Sequence, residues 1–107
     1  MVTYSGKGGA VTIPSSIKVG LTTYTVTQVG INLFANNTDI TSITLPDHLA
    51  RIGTNAFSGC TSLTGPLNLP ASLTRIEAYA FNNCTNLNGT LVLPAGLTKL
   101  GTYASYN

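Results

Sequence analysis

The chain has 107 residues, of which 43% are hydrophobic and only 7% are charged, and its formal net charge is +2. A chain of this length forms one domain with a hydrophobic core, and the small charge, with no basic run interleaved with aromatic residues, argues against a nucleic-acid partner. No apolar run approaches the roughly 20 residues that a membrane-spanning helix needs. The sparse charge suits an extracellular protein or one that associates with itself.

The N-terminal quarter of the sequence predicts a small β-structure. A strand is predicted at Val11–Ile13, and Pro14 ends it because proline has no amide hydrogen to donate. The segment Ile17–Val29 alternates β-branched or aromatic residues with polar ones around Gly20, which indicates a hairpin. We interpret residues 1–28 as a strand and hairpin cap over the open end of a repeat array.

The rest of the chain consists of repeats. A 24-residue unit occurs at residues 52–75 and again at 76–99, and 13 of its 24 positions are identical without gaps. Residues 29–51 form a third copy that is one residue shorter, and residues 100–107 begin an incomplete fourth copy. A fixed period between about 20 and 29 residues with recurrent leucines predicts a leucine-rich-repeat solenoid. We therefore expect a single domain over residues 1–107.

Each repeat is predicted to contain a short helical turn and two extended pieces. The helical turn lies around Asn55–Phe57, and a strand at Leu67–Leu69 points both leucines inward and Asn68 outward. A proline bend at Pro70 precedes the second extended piece, Leu73–Ile76. We expect an α/β solenoid, a right-handed superhelix of about four turns, in which equivalent residues stack about 4.8 Å apart. The predicted inner columns are Phe34, Phe57 and Phe81, and Leu45, Leu69 and Leu93.

The repeats resemble a known family. The segments IGTNAFSGCTSL and IEAYAFNNCTNL and three leucine–proline pairs are similar to the BspA-like leucine-rich repeats, whose units run I-G-x-x-A-F-x-x-C-x-x-L followed by L-P-x-x-L. The resemblance covers residues 29–102. It implies a non-enzymatic, mostly extracellular surface protein of bacteria or some protists, associated with adhesion to host matrix or to other cells. Departures from the pattern are Leu33, Asn37, Glu77 and Tyr103–Ser105.

Catalytic and metal-binding chemistry is not predicted. His48 is the only histidine. It lies beside Asp47, and the three acidic residues Asp39, Asp47 and Glu77 stand at unrelated places in the repeat. Neither a catalytic triad nor a metal site has the converging partners that it needs. We expect no enzyme activity, no bound metal and no cofactor.

Two cysteines occupy one repeat position. Cys60 and Cys84 are 24 residues apart, so they would stack in adjacent repeats. They would be close enough for a disulfide, but parallel side chains in one column make its dihedral angle awkward. We expect buried free thiols that act as small core residues.

Two columns are candidate binding surfaces. The first is the outward column of the predicted strands, a flat neutral face that serves either recognition or only contact with solvent. The second, which we call the basic column, holds three of the five basic residues, each five positions after a proline. This column could bind an acidic or sulfated glycan or an acidic patch on a protein. Alternatively, its side chains only cover apolar surface and the edges of strands. The strand column comprises Thr12, Thr44, Asn68 and Val92; the basic column comprises Arg51, Arg75 and Lys99.

Two functions follow from these patterns. The first is a protein-binding or adhesion module of a cell-surface or secreted protein that recognises a host-matrix protein or an acidic glycan. The alternative is a structural subunit that associates with itself end to end into oligomers or filaments, because an incomplete last repeat exposes apolar side chains and strand edges. No secretory signal precedes Val2, so the sequence predicts either a mature segment or an artificially shortened one. The family resemblance implies a location outside the cell or at its surface.

Overall fold

The computed structural model describes residues 8–65, 67–87 and 92–104. Their strands form three sheets: β1 pairs in parallel with β5, β2 pairs antiparallel with β3, and β4, β6, β7 and β8 form a parallel sheet in that order. The strands are β1 (Gly9–Thr12), β2 (Ser16–Val19), β3 (Thr22–Thr25), β4 (Gln28–Val29), β5 (Ile40–Thr44), β6 (Arg51–Ile52), β7 (Arg75–Ile76) and β8 (Lys99–Leu100).

The predicted N-terminal hairpin is present. Strands β2 and β3 pair across a turn in which Gly20 adopts a φ of 63°, a conformation that glycine tolerates without a steric penalty. Most residues of both strands are exposed. An open cleft of about 520 Å³ lies against the hairpin and is lined by its Ile17 and Tyr24 and by Val29 and Phe34 of the first repeat. The hairpin thus does not fill the space beside the first repeat, although Val29 and Phe34 remain buried.

The predicted helical turn is wrong, because the segment around Asn55–Phe57 is a series of hydrogen-bonded turns. The amide of Ala56 donates to the Gly53 carbonyl within the repeat, whereas the amide of Phe57 donates to the Ala80 carbonyl of the next repeat. With alternate amides bonded between repeats, the ladder of an α-helix cannot form. The residues that the structure describes contain no helix, so the fold is strand-rich and not α/β.

Two positions in each repeat have a left-handed backbone. Asparagine and glycine, which tolerate this conformation, occupy most of them. They account for the asparagine- or glycine-rich corners that the sequence shows. The first column is Asn32, Asn55, Tyr79 and Tyr103, and the second is Asn36, Gly59 and Asn83.

The strand predicted at Leu67–Leu69 is also wrong. These three residues belong to no strand, and the parallel sheet of the repeats lies further along the chain, at Arg75–Ile76 and its equivalents. In the sequence the segment is bounded by Pro66 and Pro70, which cannot donate to a ladder. A parallel pair does form one repeat earlier, between β1 and β5.

Because Leu67–Leu69 forms no strand, the predicted inner column of leucines is only partly buried. Leu45 and Leu69 are half-buried against the core, but Leu93 is 44% exposed, so its predicted inward position is wrong. A cleft of about 460 Å³ lies between the segments of Leu69 and Leu93. The two segments are therefore not held together as neighbouring strands would be.

The predicted phenylalanine column is confirmed and forms the centre of the core. The ring centroids of Phe34 and Phe57 are 5.1 Å apart and those of Phe57 and Phe81 are 5.2 Å apart, with interplanar angles of 7° and 2°. All three side chains are buried. Burying a phenylalanine contributes roughly 1.5–3 kcal/mol, so this column supplies a large part of the stability that a small domain has.

Candidate functional site

The basic column runs across the four-stranded parallel sheet. Arg51 pairs with Arg75, and Arg75 pairs with Lys99, in the register of β6, β7 and β8. Gln28 occupies the same position in β4. Successive residues of a strand point to opposite faces, so the buried Ile76 directs its neighbour Arg75 outward. Short strands thus place the three basic residues side by side on the outer face.

One buried carboxylate joins the basic column. Glu77 accepts a hydrogen bond on Oε2 from Nε of Arg51 at 2.8 Å. The same oxygen forms an ion pair with Nε of Arg75 at 3.0 Å, and Oε1 forms another with Nζ of Lys99 at 2.9 Å. The Glu77 side chain is 6% exposed, whereas the three basic side chains are 37–50% exposed. A single acidic group is therefore shared by three consecutive repeats.

The repeat pattern explains why Glu77 can occupy this place. Its equivalents in the other repeats are Gly30, Gly53 and Gly101, so the positions on both sides of it in the stack carry no side chain. The carboxylate consequently has room to lie under Arg75 of β7 and under Arg51 and Lys99 of the two neighbouring strands. The three acidic residues stand at different places in the repeat, but the pairing of Glu77 with the basic column was not predicted. The signal that would have found it is its spacing of two from Arg75, which puts both on one face of an extended segment.

The basic residues keep Glu77 ionised. Hydrogen bonds from Lys99 and Arg51, with the nearby charge of Arg75, lower the pKa of Glu77 from 4.5 to about 2, against the opposing effect of burial. Three cations and one carboxylate leave this cluster with a net charge of +2. Arg51 is held further by a hydrogen bond from Nη1 to Oε1 of Gln28 at 3.2 Å. The cluster is thus a positioned, half-exposed cationic patch that can accept anionic groups.

The other candidate column is not one continuous strand face. Thr12 and Thr44 are exposed partners in the β1–β5 pair. Asn68 and Val92 are exposed as well, but they belong to no strand and instead line the cleft of about 460 Å³. The structure therefore brings these four residues together only as two separate pairs.

The cysteines lie in the core. Sγ of Cys60 donates to the carbonyl of Phe34 at 3.1 Å, and Sγ of Cys84 donates to that of Phe57 at 3.0 Å. Both thiols are free and fully buried. The adjacent Cys60 and burial raise the pKa of the Cys84 thiol. A buried thiol with a raised pKa is unreactive, so Cys84 fills space in the core.

Other polar groups form no larger site within the described ranges. Nδ1 of His48 lies 3.0 Å from Oδ1 of Asp47, and both side chains are exposed. Residues 8–65, 67–87 and 92–104 hold no group of three or more His, Cys, Asp or Glu side chains suited to a metal ion. The same residues include no helix with the length and hydropathy to cross a membrane.

Stacked repeats with recurrent leucine, phenylalanine and asparagine columns define a leucine-rich-repeat protein. The profile of the BspA type leucine rich repeat region matches residues 11–107 in six copies. The chain therefore belongs to the BspA-type leucine-rich-repeat family, as its motifs predict. No curated protein matches the sequence significantly.

Solved structures of bacterial leucine-rich-repeat proteins are similar to this chain. The leucine rich repeat protein TpLRR of T. pallidum is 30% identical, with a TM-score of 0.79 over 95% of this chain and 56% of its own. A protein of Bacteroides ovatus is 25% identical (TM-score 0.74, 86% of this chain, 29% of its own). A leucine rich cell surface protein of Faecalibacterium prausnitzii is 36% identical (TM-score 0.71, 80% of this chain, 24% of its own). The chain thus spans about half of the first protein and less than a third of the other two.

Proposed function

We propose that the chain is a non-catalytic binding module of a cell-surface or secreted protein and recognises an acidic partner, an extracellular protein or an acidic glycan, through the basic column. Membership of a leucine-rich-repeat family supports a role in protein interaction, and similarity to a cell surface protein supports the location. In this proposal the repeats continue as a right-handed solenoid of about four turns, which presents the column on one side.

The convergence of three basic side chains on Glu77 carries the proposal. Ion pairs with the carboxylate hold the side chains of Arg51, Arg75 and Lys99 in place, so less conformational entropy is lost when a partner binds. One carboxylate offsets only one of the three charges. The remaining charge of +2 is half-exposed and attracts acidic partners over about one Debye length.

Binding assays with charge-matched variants test the proposal. The probes are purified extracellular-matrix proteins and sulfated and non-sulfated glycans, immobilised and measured at rising salt. Arg75→Gln and Lys99→Gln each leave Glu77 with two basic partners, so the fold is retained, and each is expected to weaken binding severalfold and to reduce its dependence on salt. Lys18→Gln is the control, because it removes the same charge from the exposed strand β2. Equal losses for Lys18→Gln and Lys99→Gln would show that net charge, and not the basic column, governs binding.

Self-association is the second candidate function. It is favoured by the apolar cleft of about 520 Å³ beside the hairpin and by exposed apolar side chains of the last described repeat, Leu100 at 47% and Tyr103 at 66%. Light scattering over a concentration series tests it. Growth of the particle mass with concentration would support assembly, and a constant monomer mass would rule it out.

A further inference from the structure

Tyr79 and Tyr103 form an exposed aromatic pair in the turns that follow strands β7 and β8. Their ring centroids are 5.5 Å apart with an interplanar angle of 23°. The side chains are not part of the core, since Tyr79 is 39% exposed and Tyr103 is 66% exposed. Both residues have a left-handed backbone, with φ angles of 60° and 54°.

The backbone at these two positions disfavours tyrosine. A bulky residue with positive φ is an outlier and costs on the order of 1–2 kcal/mol, whereas asparagine adopts the conformation readily. Asn32 and Asn55 occupy the same position in the two preceding repeats, with φ angles of 61° and 58°. The two rings stack on each other but do not belong to the buried core, so core packing does not explain the tyrosines. A strained residue with an exposed side chain is a candidate for a functional role.

The tyrosines closely follow two of the basic residues along the chain. Tyr79 follows Arg75 by four residues, and Tyr103 follows Lys99 by the same four, so each pair is at most about 14 Å apart along the chain. The strands that carry Arg75 and Lys99 are neighbours in the sheet. An interface of ordinary size, about 800 Å² on each partner, covers all four side chains.

We propose that Arg75, Lys99, Tyr79 and Tyr103 form one binding surface for an acidic protein segment that also carries apolar or aromatic side chains. This inference rests on the proposed function and names the class of its partner. Tyrosine and arginine are enriched at protein interfaces, where the ring is an apolar anchor and its hydroxyl bonds to polar groups. A polyanionic glycan held by charge alone would not require tyrosines at positions that favour asparagine.

Exchange of the tyrosines for asparagine separates binding from folding. Tyr79→Asn and Tyr103→Asn, alone and together, introduce the residue that Asn32 and Asn55 already provide, so we expect stability against urea to be unchanged or higher. Tyr24→Asn is the matched control, because Tyr24 is 57% exposed on the hairpin, whose strands do not pair with those of Arg75 and Lys99. If the double variant unfolds more readily than the wild type, the claim that the backbone conformation at these positions favours asparagine over tyrosine is wrong.

The binding probe is a random peptide library displayed on phage, selected on the wild-type protein and sequenced. We expect enriched peptides that combine Asp or Glu with an apolar or aromatic residue. Affinity for a synthetic peptide of this type should fall about tenfold or more in the double tyrosine variant and in Arg75→Gln, but not in Tyr24→Asn.

The other outcomes distinguish this inference from the proposed function. If peptide affinity is lost in Arg75→Gln but kept in the double tyrosine variant, the inference is wrong and the proposed function stands. If no acidic peptide is enriched while heparin binds the wild type and the double tyrosine variant equally, the partner class is a glycan and the inference again fails. Loss in the tyrosine variant without loss in Arg75→Gln contradicts both.

Discussion

Nε of Arg51 and Oε2 of Glu77 are 2.8 Å apart although Arg51 lies on β6 and Glu77 directly follows β7. The same carboxylate is also paired with Lys99 of β8, 2.9 Å away. A buried acid therefore links three repeats of a sheet whose strands are only two residues long. This relationship makes Glu77 a structural determinant of the basic column as well as the group that limits its charge.

Replacing Glu77 tests its structural role. Glu77→Gln keeps the size of the side chain but leaves three neighbouring cations without a counter-charge, so we expect the free energy of unfolding to fall by about 2–3 kcal/mol. Urea unfolding at neutral pH measures the change. Asp39→Asn is the control, because it removes an equal charge from an exposed residue. Similar stability of the two variants would mean that the shared ion pairs contribute little.

The free energy of unfolding should also depend on pH, because Glu77 becomes protonated in acid. Its pKa is lowered on folding from 4.5 to about 2. A carboxyl group whose pKa is lowered on folding stabilises the folded state fully at pH values above its unfolded pKa. This stabilisation is lost as the pH falls towards the folded pKa. For Glu77 the loss is roughly 3 kcal/mol between about pH 4.5 and about pH 2. Urea unfolding over this range should bring the wild type and Glu77→Gln closer together. A constant difference would contradict the lowered pKa.

The phenylalanine column should be most sensitive at its centre. Phe57 stacks on both Phe34 and Phe81 and is fully buried. Phe57→Ala should cost about 3–5 kcal/mol. Phe34→Ala should cost less, because Phe34 borders the open cleft beside the hairpin. Thermal unfolding of the two variants checks the order, and an equal or larger loss for Phe34→Ala would contradict this description of the core.

Two glycines provide a matched test of the left-handed columns. Gly59 has a φ of 76°, and an added Cβ would approach Oδ1 of Asn36, so Gly59→Ala should destabilise by about 1–3 kcal/mol. Gly96 is a suitable control, since an added Cβ there would come no closer than 4.0 Å to the carbonyl oxygen of Ala71. Gly96→Ala should be close to neutral. Denaturant midpoints of both variants decide whether the two glycines differ as expected.

The sequence predicts the stacking because the repeat length is fixed. Residues that recur every 24 positions, such as Phe57 and Phe81, must occupy equivalent places, and the aromatic column follows from this alone. The position of the sheet within the repeat does not follow. Leu67–Leu69 has the alternation of a strand, but pairing depends on the amides and on the register with the next repeat, which local patterns do not fix.

The candidate site was only half predictable for a similar reason. The shared repeat position identifies Arg51, Arg75 and Lys99 directly. Glu77 occurs once and therefore gives no periodic signal, and its role appears only when three repeats are assembled around it. Of the two tyrosines, only Tyr103 departs from the repeat pattern of the family, and Tyr79 gives no such signal. Their significance depends on backbone angles that the sequence does not display.

Mapping of a bound polyanion by NMR tests the central claim, that the basic column is the binding face, most directly. A short heparin oligosaccharide is added to the 15N-labelled protein, and amide chemical shifts are followed. We predict that the largest changes fall on Arg51, Arg75 and Lys99 and on the residues that follow them in each repeat, and that they are lost at high salt. Changes concentrated on Thr44, Asn68 and the hairpin would contradict the account.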